Sequence, residues 1–154
     1  MSRSKLLPDV IDNNYRGAPA AKWVFAILTL VTVARSLAHI LLPDGGAQSI
    51  AILPLDDFTA NGADAVIHMF AQWGLSQLLF GVFYALVLWR YQALIPLMYV
   101  FIFLEYTGRV LLALAKPLET AGTAPGAIGN YILIPLALLM LVLALREHRS
   151  DEAQ

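Results

Sequence analysis

Four apolar stretches, at about 22–42, 63–89, 93–115 and 128–145, dominate the sequence, each bounded by charged residues, proline or glycine. A helix rises about 1.5 Å per residue, so roughly 20 apolar residues cross the ~30 Å hydrocarbon core of a bilayer, and four crossings fit. In lipid, only helices and closed barrels satisfy all their backbone hydrogen bonds, so stretches of this length and apolarity read as helices. The expected fold class is an all-α integral membrane protein, one four-transmembrane-helix bundle formed by residues 1–154. Composition agrees: 59% of the residues are hydrophobic and only 14% charged, where soluble domains carry about a quarter.

The breaks fix the connections. Pro43 and Gly45-Gly46 end the first span. An outer loop at 43–62 follows, and its short apolar piece within "AQSIAILPLDDFTANG" is expected to lie at the interface instead of crossing it. A tight turn at "RYQA" joins the second and third spans, Lys116-Pro117 closes the third, and "ETAGTAPGAIG" leads into the fourth. Pro135 should kink the fourth span or free a carbonyl. Small-residue pairs such as Ala34 with Ala38 and Gly81 with Ala85 would permit close helix approach. Residues 1–20 and 146–154 read as polar tails. The first tail lacks the short basic start of a signal peptide, so the first span is expected to be retained.

Orientation follows from Lys and Arg near the span ends. Arg3, Lys5, Arg16, Lys22, Arg90, Arg146 and Arg149 fall on one side of this arrangement and Lys116 on the other. Both termini are therefore expected in the cytoplasm, with Trp23 and Trp89 in the aromatic belt at that boundary. The length and four-span plan resemble those of many small bacterial membrane proteins, a resemblance of architecture alone that implies no activity, and the expected location is a bacterial inner membrane. A net charge of -1 gives no basic face for nucleic acid, and the absence of cysteine removes disulfides and thiolate metal sites.

Ionisable residues inside spans are costly and point to function by default. Arg35 and His39 lie in the outer half of the first span, His68 and Gln72 in that of the second. Glu105 and Arg109 run from the middle of the third outward, Tyr106 flanks them, and Asn130 with Tyr131 starts the fourth. Residues four apart share a helix face, so Arg35/His39, Asp64/His68/Gln72/Ser76 and Glu105/Arg109 form stripes able to line one polar pocket. Glu105 and Arg109 can pair within one turn, leaving Arg35 as a surplus cation with Asp64 the nearest protein anion. An arginine fork suits a carboxylate or phosphate.

The expected function is thus to bind, with or without modifying it, an amphipathic or anionic small molecule or membrane lipid. Arg35 and Arg109 would hold its head, and Gln72, Tyr106 and Asn130 would orient it. Glu105, His39 and His68 are the candidate acid-base residues for chemistry on a lipid-soluble substrate, imidazole being suited to proton exchange at neutral pH. No nucleophile elbow, zinc-protease motif or phosphate loop accompanies them. Two alternatives stand beside this reading. The chain would be an accessory subunit of a larger membrane complex or a homo-oligomer, docked through its outer loops, or it would carry haem between His39 and His68. No cofactor is required by the sequence, and no metal ligands are expected beyond those two histidines in the haem case.

Overall fold

Proline at the start of three of the four spans sets where helices begin in the computed structural model, which describes residues 5–146. The helices are α1 (Pro19–Leu41), α2 (Ala60–Arg90), α3 (Ile95–Ala115) and α4 (Pro125–Leu145), and among the described residues there is no strand. A first-turn proline gives up an amide that has no intrahelical partner there. α2 starts instead at Thr59, whose hydroxyl accepts the Gly62 amide at 3.2 Å. Short 3₁₀ turns occur at Leu55–Asp57 and Gln92–Leu94. All four helices are long and apolar enough to cross a membrane. Their ends fall within about three residues of those expected. Arg3, Arg149 and the rest of the tail beyond 146 lie outside the described residues.

The bundle is built from two antiparallel hairpins, α1 with α2 and α3 with α4, α1 also packing along α4. Glycines let α1 and α2 close on each other. A Cβ at Gly74 would stand 2.7 Å from His39 Cβ, and one at Gly81 2.8 Å from Val33 Cγ2. These glycines, with buried Ser36, form the contact. The small pairs singled out above do not, since Ala34 and Ala85 are exposed. The hydroxyls of Thr29, Thr32 and Ser36 bond back to carbonyls four residues earlier and are satisfied within α1.

The main core sits at the end carrying the termini, where Phe25, Tyr84, Val87, Ile95, Met98, Tyr99, Ile102 and Met140 interlock. Tyr99 hydroxyl donates to the Ala21 carbonyl at 2.5 Å. The segment before α1 crosses this end: Ala18 N–H donates to Leu143 O at 3.0 Å, and Lys5 Nζ to Leu145 O at 3.1 Å, occupying carbonyls α4 leaves unpaired. Gly17 lies so close to α4 that a Cβ would overlap the Ala144 carbonyl oxygen.

At the opposite end α3 and α4 are largely uncovered. Residues 111–123 are exposed, and a Cβ added at Gly108, Gly126 or Gly129 meets nothing within 4 Å. The loop after α1 folds over the first turns of α2, burying Ala47, Leu53 and Leu55 against Ala63, Val66, Ile67 and Phe70. Asp44 organises it by accepting the amides of Gly46 (2.9 Å), Gln48 (3.1 Å) and Ser49 (2.6 Å). Burial pushes its carboxyl pKa up, but these amides outweigh that and hold it below the ordinary value. Ile52 adopts a left-handed φ of 56°, strained for a β-branched residue, and its carbonyl accepts the Ala121 amide at 3.0 Å, tying the two loops together.

Candidate functional site

Where α1, α2 and α3 converge, three partly buried charged side chains meet one buried amide. Arg109 donates to Glu105 Oε1 through Nε at 3.1 Å and Nη2 at 2.5 Å, one helical turn apart on α3. Arg35 of α1 brings Nη2 to 4.0 Å from that same oxygen and donates through Nε to Gln77 Oε1 on α2 at 3.1 Å. Arg35 therefore turns to Glu105 and Gln77, whereas Asp64, the anion expected to serve it, is exposed in the first turns of α2. The group holds two cations to one carboxylate, a surplus of positive charge in a low-dielectric setting where unbalanced charge is costly.

Gln77 carries the most informative atom. Its side chain is 5% exposed, and Nε2 is buried without a hydrogen-bond partner. The amide cannot be flipped to remove the vacancy, because Arg35 Nε can only donate and so requires the oxygen to face it. The orphan is a true N–H donor beside a surplus cation, and leaving such a donor unpaired costs about 1–3 kcal/mol. A second unpartnered buried atom, Thr107 Oγ1, lies on α3, two residues from Glu105.

Aromatic rings wall the group toward the loop end. Arg109 Cζ lies 4.8 Å from the Trp73 ring centroid and 5.5 Å from that of Tyr106, within cation–π range. His39 packs on the same indole, 4.8 Å between centroids, and on Phe70 at 5.6 Å. Its Nδ1 is 2.7 Å from the Gly45 carbonyl oxygen. A carbonyl only accepts, so Nδ1 carries a proton and the ring pins the loop to the end of α1.

Of the residues named from sequence, Arg35, Glu105, Arg109 and Tyr106 thus come together, with His39 one ring away through Trp73. His68 and Gln72 do not join them. They pair with each other at 2.7 Å between Nε2 atoms, are exposed, and lie about half a helical turn around α2 from Gln77. His39 packs on the Phe70–Trp73–Gly74 face of α2 and His68 lies on the opposite one, which does not set two imidazoles across one haem. Asn130 is half-buried near the start of α4 and makes none of the hydrogen bonds of this group. Gln77 and Trp73 are not among the site residues expected from sequence. Their signal is the run Gly74, Gly81, Tyr84 at packing spacing, which marks the inward face of α2 and has Gln77 in its midst. Comparison with known proteins finds no matching family model, no matching curated protein and no matching solved structure.

Proposed function

We propose that this protein resides in a bacterial inner membrane with both termini in the cytoplasm and binds the anionic head of an amphipathic small molecule or lipid at Arg35, Gln77 and Arg109. The buried, unpartnered Gln77 amide carries this reading, because an acceptor supplied by a ligand would satisfy it while balancing the surplus cation. The apolar part of the ligand lies along the uncovered outer part of α3 and α4, in contact with lipid. Glu105 serves as counter-ion that holds both arginines in place. The orientation is supported by Lys5, Arg16, Lys22, Arg90 and Arg146 at the termini end against Lys116 at the other, with Trp23 and Trp89 exposed at the cationic boundary.

Native mass spectrometry of the protein released from mild detergent tests it. A retained small-molecule mass that is lost in Arg35→Leu, with the variant still monodisperse, is the expected outcome. An empty chain, or an adduct indifferent to Arg35, refutes it.

A second reading, an accessory or assembly subunit of a larger membrane complex, is favoured by one observation. The exposed His68–Gln72 pair presents polar groups away from the bundle, where a partner helix would take them up. That reading requires the protein to copurify with a larger partner and to lose it in a His68→Leu, Gln72→Leu double variant.

A further inference from the structure

At the opposite end of the molecule from the Arg35–Glu105 group, the segment preceding α1 folds back against its first turn and leaves a cavity of about 500 Å³. Its walls include Asn13, Asn14, Arg16, Lys22, Trp23 and Gln92. Lys22 is half-buried and, among the described residues, has neither a carboxylate nor a hydrogen-bond partner. Arg16 is held in a fork by Asp12, with Nη1 at 3.3 Å from Oδ1 and Nη2 at 2.5 Å from Oδ2. Two of the five guanidinium N–H donors are thereby used, and the rest are left for another acceptor. Asp12 neutralises Arg16, so Lys22 is the uncompensated charge of the cavity.

The remaining wall adds no anion. Tyr15 donates its hydroxyl to Ala18 O at 3.1 Å, and burial pushes its pKa up to about 12, which keeps it neutral. Gln92 spends one N–H on Leu88 O at 2.9 Å and retains the other. The cavity sits at the first turn of an apolar helix, with Trp23 beside it 69% exposed. That is the level of lipid headgroups, with the apolar flank of α1 running into the bilayer below. The volume exceeds what a free phosphate fills and accommodates a phosphodiester with its glycerol.

We infer that this cavity is a headgroup site for an anionic phospholipid, its phosphodiester held by Lys22 and Arg16 and its acyl chains laid along α1. The site is independent of the proposed function, since it shares no residue with the Arg35–Gln77–Glu105–Arg109 group.

The test titrates the full-length protein in mild detergent with phosphatidylglycerol or phosphatidylcholine and counts retained lipids by native mass spectrometry. One phosphatidylglycerol should be held in preference to phosphatidylcholine. Lys22→Gln should weaken that retention about ten- to hundredfold, the value of one lost charge-assisted hydrogen bond, and Lys22→Arg should restore it. Arg90→Gln, which removes a cation at the same end but outside the cavity, should leave it unchanged. Equal losses in Lys22→Gln and Arg90→Gln would reduce the effect to general surface charge and overturn the site. Equal retention of the two lipids would overturn the phosphodiester assignment. A lipid-free arm with inorganic phosphate separates the sources: phosphate bound alone with the same dependence on Lys22 would overturn the lipid.

Discussion

Replacing Gln77 by glutamate is the sharpest probe of the central polar group, because it keeps the shape of the side chain and reverses what its orphan atom offers. In the native chain Gln77 Oε1 accepts from Arg35 Nε at 3.1 Å, and Nε2 is an unpaired donor. With a carboxylate at 77 that donor becomes an acceptor and the group passes from two cations against one anion to balance. Two unit charges about 4 Å apart interact by roughly 4 kcal/mol at an effective dielectric near 20. A bound anion close to Arg35 would feel that as repulsion, and we expect its Kd to rise roughly 30- to 1,000-fold, or about 2–4 kcal/mol. The fold itself should change little, because pairing with Arg35 opposes the cost of burying a carboxylate, leaving a net shift within about 2 kcal/mol. Gln77→Met, which removes the donor and adds no charge, should weaken binding only about tenfold. The assay uses Trp73, whose ring lies 4.8 Å from Arg109 Cζ, as the remaining indole after Trp23→Phe and Trp89→Phe in a chain with three tryptophans. Quenching by a bromine-labelled long-chain carboxylate should saturate in the parent and flatten in Gln77→Glu. Coincident quenching curves for the two would refute the reasoning, and a parent without saturable quenching would remove long-chain carboxylates as the ligand class.

Three further outcomes are expected. Gly74→Ala should destabilise the protein by about 1–3 kcal/mol, because the new Cβ meets His39 and the Ser36 carbonyl, whereas Gly108→Ala, which points into open space, should be neutral or stabilising by up to ~1 kcal/mol; thermal unfolding in detergent separates them. The Asp44 carboxyl has its pKa lowered in the folded loop, so its contribution is present above the ordinary carboxylate range and lost as pH falls through the folded value. Amide exchange at Gly46, Gln48 and Ser49, corrected for intrinsic rates, should therefore speed up below about pH 4 in the native chain and show no such step in Asp44→Asn. Finally, the chain has no cysteine, so Gln48→Cys gives a single thiol, which an impermeant reagent should label from the side opposite the termini; labelling only from the cytoplasmic face would reverse the proposed orientation.

The spans were legible because length and apolarity in lipid leave few alternatives; their starts were placed two or three residues off because Pro19, Pro96 and Pro125, which sit in the first turns, were not read as start signals. The Glu105–Arg109 pair was legible for a similar reason, being set by one turn of a single helix. What periodicity does not reveal is which face of a helix looks inward. The stripe Asp64, His68, Gln72, Ser76 is regular but exposed, while interleaved with it Gln77 is buried and Trp73 packs on His39 and Arg109. The partner of Arg35 was equally beyond reach, since it depends on how α1 and α3 approach across the molecule. Glycine is the better guide: Gly81, named for close helix approach, and Gly74, which was not, mark the side on which a neighbouring helix comes too close for a side chain.

The unequal lengths of the helices carry a consequence of their own. α2 has 31 residues, about 46 Å, whereas α3 and α4 have 21 each, about 31 Å. A bilayer matched to α3 and α4 leaves roughly 15 Å of α2 standing beyond the hydrocarbon. That overhang is the part bearing Asp64 and His68, and the folded loop rests on it. The molecule thus has a depth stop. A thicker membrane would have to draw these polar turns and their loop out of water, and a thinner one would uncover the apolar tips of α3 and α4. Hydrophobic mismatch on this one helix therefore opposes vertical displacement of the molecule, and with it displacement of the charged group.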